Sequence, residues 1–200
     1  MIQHWTTRPA RRERAMNSET ARWVALLLFV LFTLAPVPLL SRGVSQDCPA
    51  GIKAIAPPGA TITLCVGSEG MYQVQMEFPE KHKGTLERLS VRIQRLMDVD
   101  ADTLTRALSQ SIQLKDLEMA EKPSPHGLTQ RSMPEPKARS DGKAWYIKNT
   151  TPEEDRPPNI SYDCSYVVMQ GDALLFIQAS TTSKEIADGW VEHVKGHLKF

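Results

Sequence analysis

Three groups of residues have the type and spacing to do chemistry: Asp98, Asp100 and Asp102; His193 and His197; and Cys164. Alternating carboxylates open a calcium-binding loop. Here, however, the sixth position is Thr103 instead of the glycine of the sharp turn, and the twelfth is Ser109 instead of the bidentate Glu. The aspartates are therefore read as the start of a helix, with Asp100 or Asp102 as N-cap, and no metal is expected. His193 and His197 stand four apart, the spacing that places two imidazoles over one ion. The zinc-hydrolase pattern needs Glu directly after the first His, but Val194 is there, and Glu192 projects about 100° away. They are expected on the solvent side of a helix. Cys164 has no local His and reads as a small buried side chain. No G-x-S-x-G, phosphate-cradling glycine loop or C-x-x-C occurs. No catalytic residue, metal or cofactor is expected, and the competing class is a small hydrolase or metal-dependent enzyme using Cys164 or the two histidines. A lipid or small-molecule carrier is a third class, requiring a concave apolar site.

Binding chemistry is easier to locate. Glu153, Glu154 and Asp155 lie in a proline-rich stretch, Thr150 to Asn159, read as a loop; a second, Pro123 to Asp141, flanks the same strand. Long loops on a small rigid sheet are where partner contacts concentrate, and the acidic trio is the candidate contact with a protein partner. Cys48 and Cys65 bracket Pro57-Pro58-Gly59 and are the expected disulfide, with Cys65 to Cys164 as competitor.

The elements that must position these residues follow from periodicity. Strands are expected over Ala60 to Val66 and Met71 to Phe78, paired through Gly67-Ser68-Glu69-Gly70. Leu89 to Leu96 alternates as a strand but also fits one helix face; the strand is preferred. A helix is expected from Thr103 to about Gln113, then a strand from Leu114 to Ala120 and a weak one over Leu128 to Met133. Pro123, Pro125, Pro134 and Pro136 read as exposed connections. Lys143 to Lys148 is a strand, and Ile160 to Val168 and Ala173 to Ser180 form a hairpin through Gly171-Asp172. Thr182 to Glu185 reads as a capping box for a final helix with Ile186, Ala187, Trp190, Val191, Val194 and Leu198 on one stripe.

Before all of these comes an apolar run, Val24 to Leu40, behind Arg8, Arg11, Arg12, Arg14 and Arg22. Its layout is that of a signal peptide, with Gly43-Val44-Ser45 preceding a cut before Gln46; uncleaved, residues 24–40 are a membrane anchor with a cytoplasmic N-terminus. Either way residues 46–200 are exported, as one domain in the periplasm or secreted, or held at the inner membrane. Setting aside the six arginines and two glutamates of residues 1–45 leaves 18 basic and 21 acidic residues, a net of about −3. No basic stripe with interleaved aromatics remains, so nucleic acid is not an expected partner.

The order strands, helix, strands, long hairpin and C-terminal helix, with the stretch from Gly171-Asp172 to Leu198-Lys199-Phe200, resembles the PsbP-like fold and the small exported envelope proteins of DcrB type. The resemblance implies an antiparallel sheet covered by helices, and binding or assembly roles without an established active site. The expected architecture is α+β: about six to eight antiparallel strands covered by two helices, behind an N-terminal hydrophobic segment. The expected function is that of an exported, non-catalytic envelope module, an accessory or immunity-type protein that binds another protein.

Overall fold

In a computed structural model of the chain, the described residues are 48–68, 70–79, 87–97, 99–121 and 128–199. The expected signal or anchor, Asp98, Gly84, His82, His126, Pro123 and Pro125 lie outside them. Among the described residues, no helix is long and apolar enough to cross a membrane. The elements in chain order are α1 (Ala50–Lys53), β1 (Thr61–Ser68), β2 (Met71–Glu77), β3 (Arg88–Arg95), α2 (Ala101–Glu121), β4 (Gln130–Arg131), β5 (Glu135–Arg139), β6 (Gly142–Glu153), β7 (Arg156–Gln170), β8 (Ala173–Thr181) and α3 (Lys184–His197).

The eight strands form one sheet in the order β1-β2-β3-β8-β7-β6-β4, with β5 also on β6, and every pairing is antiparallel. Strand side chains alternate between the two sheet faces, and the two faces build separate cores. Val74, Met76, Leu89, Val91, Ile93, Tyr146, Cys164, Tyr166, Val168, Leu175 and Ile177 turn to the side where Ala187, Trp190, Val191 and Val194 of α3 descend. Ile52 and Ile55 complete this core, and Trp190 stacks on Phe78 at 4.2 Å and 7°. On the opposite face Met119, Leu108 and Ile112 of α2 cover Trp145, Ile147, Val167, Leu174 and Phe176.

The Cys48–Cys65 disulfide ties the segment holding α1 to β1, with Cα atoms 5.8 Å apart. Gly51 lies so close to the C-terminal segment that a Cβ there would stand 2.2 Å from the Lys199 carbonyl oxygen, so no other residue fits without movement. Gly171, at φ 59°, makes the expected turn between β7 and β8.

Several expectations need correction. The segment Leu114 to Ala120 is not a strand: α2 runs on to Glu121. Leu108, Ile112 and Met119 recur at helical spacing toward the sheet, and Asp116 between them accepts from Trp145 Nε1 at 2.9 Å and Lys143 Nζ at 2.7 Å. Part of Pro123 to Asp141 is sheet: β4 occupies two residues of the weak strand, and β5 contains Pro136. Pairing only with β6, β5 is an edge, where a residue without an N–H is tolerated. Thr150 to Asn159 is likewise a hairpin, because β6 and β7 continue to a Glu153↔Arg156 pair. Pro157 and Pro158 fit there because β8 pairs with β7 only from Tyr162 onward. Finally, α3 is capped by Ser183, whose hydroxyl accepts from Ile186 N–H at 3.2 Å. Thr182 instead donates to Glu87, as does Thr181.

Candidate functional site

Asp100 is the N-cap of α2, its carboxylate accepting from Thr103 N–H at 2.8 Å and from the Thr103 hydroxyl at 3.2 Å. Those bonds, the backbone one foremost, hold its carboxyl below the usual range. His193 Nε2 meets the Ala56 carbonyl at 3.1 Å and His197 Nδ1 meets the His193 carbonyl at 2.9 Å, so both nitrogens act as donors. The rings stack at 3.9 Å and 21°. Lone pairs in nearly parallel planes run side by side instead of converging on one ion. No third ligand joins them, since no metal-sized group of His, Cys, Asp or Glu exists among the described residues. Cys164 is buried in the α3-side core, and burial pushes its thiol up to about 12. A thiol so held stays protonated at neutral pH and is a poor nucleophile.

Glu153, Glu154 and Asp155 form the tip of the β6–β7 hairpin. Residues 154 and 155 make the turn, with Asp155 at φ 60°, a left-handed conformation that Asp tolerates better than most residues. The last β7–β8 pair is Tyr162↔Thr181, so the arm reaches about six residues, or roughly 20 Å, past β8. All three acids are exposed and make no ion pair among the described residues.

Two constellations were missed by sequence reasoning. The first joins β5 to α3. Lys184 pairs with Glu135, Asp188 with Lys137 at 3.1 Å, Glu192 with Arg139, and Lys195 with Asp141. Four helical residues rise about 6 Å and two strand residues about 6.6 Å, so Lys184, Asp188 and Glu192, spaced by four on α3, stay in step with Glu135, Lys137 and Arg139, spaced by two on β5, and Lys195 meets Asp141 just past the strand. Beneath the row, Asp188 Oδ1 accepts from Tyr146 at 2.8 Å and Tyr166 at 3.1 Å. Burial pushes the Asp188 carboxyl up, but these bonds and Lys137 outweigh it and leave it lowered. Burial and that same carboxylate drive both tyrosines well above their ordinary value. Every charged group in this row has a partner.

The second constellation is the opposite case. On the α2 face, β2 presents Gln73 and Gln75, β3 presents Ser90 and Arg92, and β8 presents Gln178. Register makes them neighbours: Gln73 opposes Arg92, Gln75 opposes Ser90, and Ser90 opposes Gln178. None of these five side chains has a hydrogen-bond or ion-pair partner among the described residues. They form a polar floor beside α2, with Gln75, Arg92 and Gln178 exposed and Gln73 and Ser90 half-buried. One border is ordered: Asp163 accepts from Ser180 at 2.8 Å and from Asn149 and Arg131 at 3.0 Å. The other border is the loose pair Arg88–Glu77 at 3.5 Å. The signal for this floor was present in the polar halves of the alternating strands, which read simply as solvent side until α2 was seen to cover only the β6-β7-β8 part.

Comparisons with known protein families and with curated proteins find no match to this chain.

Proposed function

We propose that this chain is an exported, non-catalytic binding module of the cell envelope that receives a protein partner on the open polar floor of its sheet. The observation that carries the reading is the set Gln73, Gln75, Ser90, Arg92 and Gln178, five adjacent side chains, three exposed and Gln73 and Ser90 half-buried, without hydrogen-bond or ion-pair partners among the described residues. Groups already engaged with one another must be unpaired before they can bind anything; these need only shed water. The floor crosses three strands and is polar throughout, so it suits a broad macromolecular surface better than a small ligand, which needs a concave and mostly apolar site. Export rests on the arginine-flanked apolar run and is supported weakly by the disulfide. The resemblance to PsbP-like envelope proteins belongs to the same proposal.

The test is crosslinking in the envelope from a photoreactive residue placed at Gln178, with one at Glu185, exposed on α3, as control. A single stoichiometric protein adduct from position 178 and none from 185 is expected. No protein adduct from 178, or equal adducts from both, overturns the reading.

A further inference from the structure

We infer that the protein received on the floor is a second copy of this chain, whose acidic hairpin tip docks on Arg92 and Arg88; this rests on the floor being a protein-binding surface. The two halves of the contact are complementary, and neither is neutralised among the described residues. The tip carries Glu153, Glu154 and Asp155 against Arg156 alone, and none of the four makes an ion pair among the described residues. On the floor, Arg92 is exposed and makes no ion pair among the described residues, where Arg88 has only the solvent-exposed Glu77 contact at 3.5 Å. Such a pair is worth little and exchanges readily.

The tip cannot reach its own floor. Arg92 is level with Phe176, which is level with Val167, and from Val167 to Asp155 the strand runs about twelve residues, roughly 40 Å. The hairpin leads straight away from the arginines, so the two groups meet only between copies. A twofold axis close to normal to the strands, at about the level of Ser161, brings each tip to the level of the other copy's Arg92; a tilt that carries the tip from β6–β7 across β8 to β3 then closes the assembly with both contacts made at once. Pro157 and Pro158 are adjacent in the arm, and since neighbouring strand residues direct their N–H groups to opposite edges, the free edge lacks one donor, which disfavours open-ended strand pairing and leaves the charges as the contact. Complementary exposed charges make such an association salt-sensitive.

The test is sedimentation equilibrium of protein expressed from the full-length coding sequence and purified from the envelope. A dimer is expected at about 20 mM salt that dissociates at about 0.5 M, where the screening length falls to a few ångström. Arg92→Glu and Glu154→Arg each weaken the dimer by at least about tenfold, and the two together in one chain restore most of it. Both substitutions are at exposed positions, and an unchanged unfolding midpoint in all three variants verifies that folding is intact. A monomer at every concentration, or a dimer indifferent to both reversals, overturns the second copy as occupant. The floor itself is judged separately: a monomer that still gives a heterologous adduct from position 178 keeps the floor and removes only the second copy, whereas loss of both removes both.

Discussion

On the α3 face of the sheet, Val74, Val91 and Ile177 are fully buried, whereas one residue away on the same strands Gln73, Arg92 and Gln178 face solvent on the other side. The two faces therefore share a backbone, a twist and a register, and differ only in what is laid over them. The α3 face carries a continuous apolar layer, the disulfide-tethered segment with Ile52 and Ile55, and an ion row in which each charge is matched. The α2 face is covered where Trp145, Ile147, Val167 and Leu174 need a roof, and is left bare where β2 and β3 offer amides and a guanidinium. Among the described residues, matched charges and the larger apolar core belong to the first face and unpaired polar side chains to the second.

That contrast breaks most visibly at Trp190. Trp190→Ala removes the ring stacked on Phe78 and opens a void under α3, with an expected loss of about 4 kcal/mol in denaturant unfolding. A loss under about 1 kcal/mol would mean that α3 is not what closes this face. Next in size is Asp188→Ala, which leaves the Tyr146 and Tyr166 hydroxyls without their shared acceptor and should cost about 3 kcal/mol. The same carboxylate gives the face its pH dependence. Asp188 and Asp141 are both lowered in the folded state, so their contribution is complete above the ordinary carboxylate pKa of about 4 and disappears as pH falls through the depressed folded values. Unfolding titrations should show stability dropping below about pH 4, with a shallower drop in Asp188→Asn; an identical acid limb in that variant would remove Asp188 from the account. The smallest effect belongs to the floor: Gln75→Ala and Gln178→Ala should each leave the unfolding midpoint within about 0.5 kcal/mol of the parent. A larger cost at either position would make the floor a structural surface and erase the distinction between the faces.

Much of this was legible from residue order. The alternation of Tyr72, Val74, Met76 and Phe78, and that of Ile160 to Val168, specifies strands because one face must be apolar. The stripe from Ala187 to Val194 specifies the last helix for the same reason. The cysteine pair at 48 and 65 was readable from its spacing. Two misreadings share one cause, the use of local propensity where a tertiary partner decides. Leu114 to Ala120 continues a helix because Met119 and Asp116 have Trp145 to land on, and that ring is brought in by a strand more than twenty residues later. Glu135 to Arg139 looked like a loop because of its prolines and charges, yet its charges at every second residue are the complement of those at every fourth residue on α3. Neither series has meaning until the two elements lie side by side.

The acidic tip shows the same division. Composition identified Glu153, Glu154 and Asp155, but placed them in a loop; pairing of β6 with β7 carries them out on an arm and separates them from Arg92 by about 40 Å. By itself the sequence determined which residues face apolar and polar surroundings, since alternation and helical stripes are properties of a single segment, together with the arginine-flanked apolar run and the near-neutral charge. Only the tertiary structure decided which polar side chains are used up in pairing and which are left over, because pairing depends on distances between segments remote in the chain. Gln73, Gln75, Ser90, Arg92 and Gln178 of the α2 face are without partners among the described residues, and on them the proposed function rests.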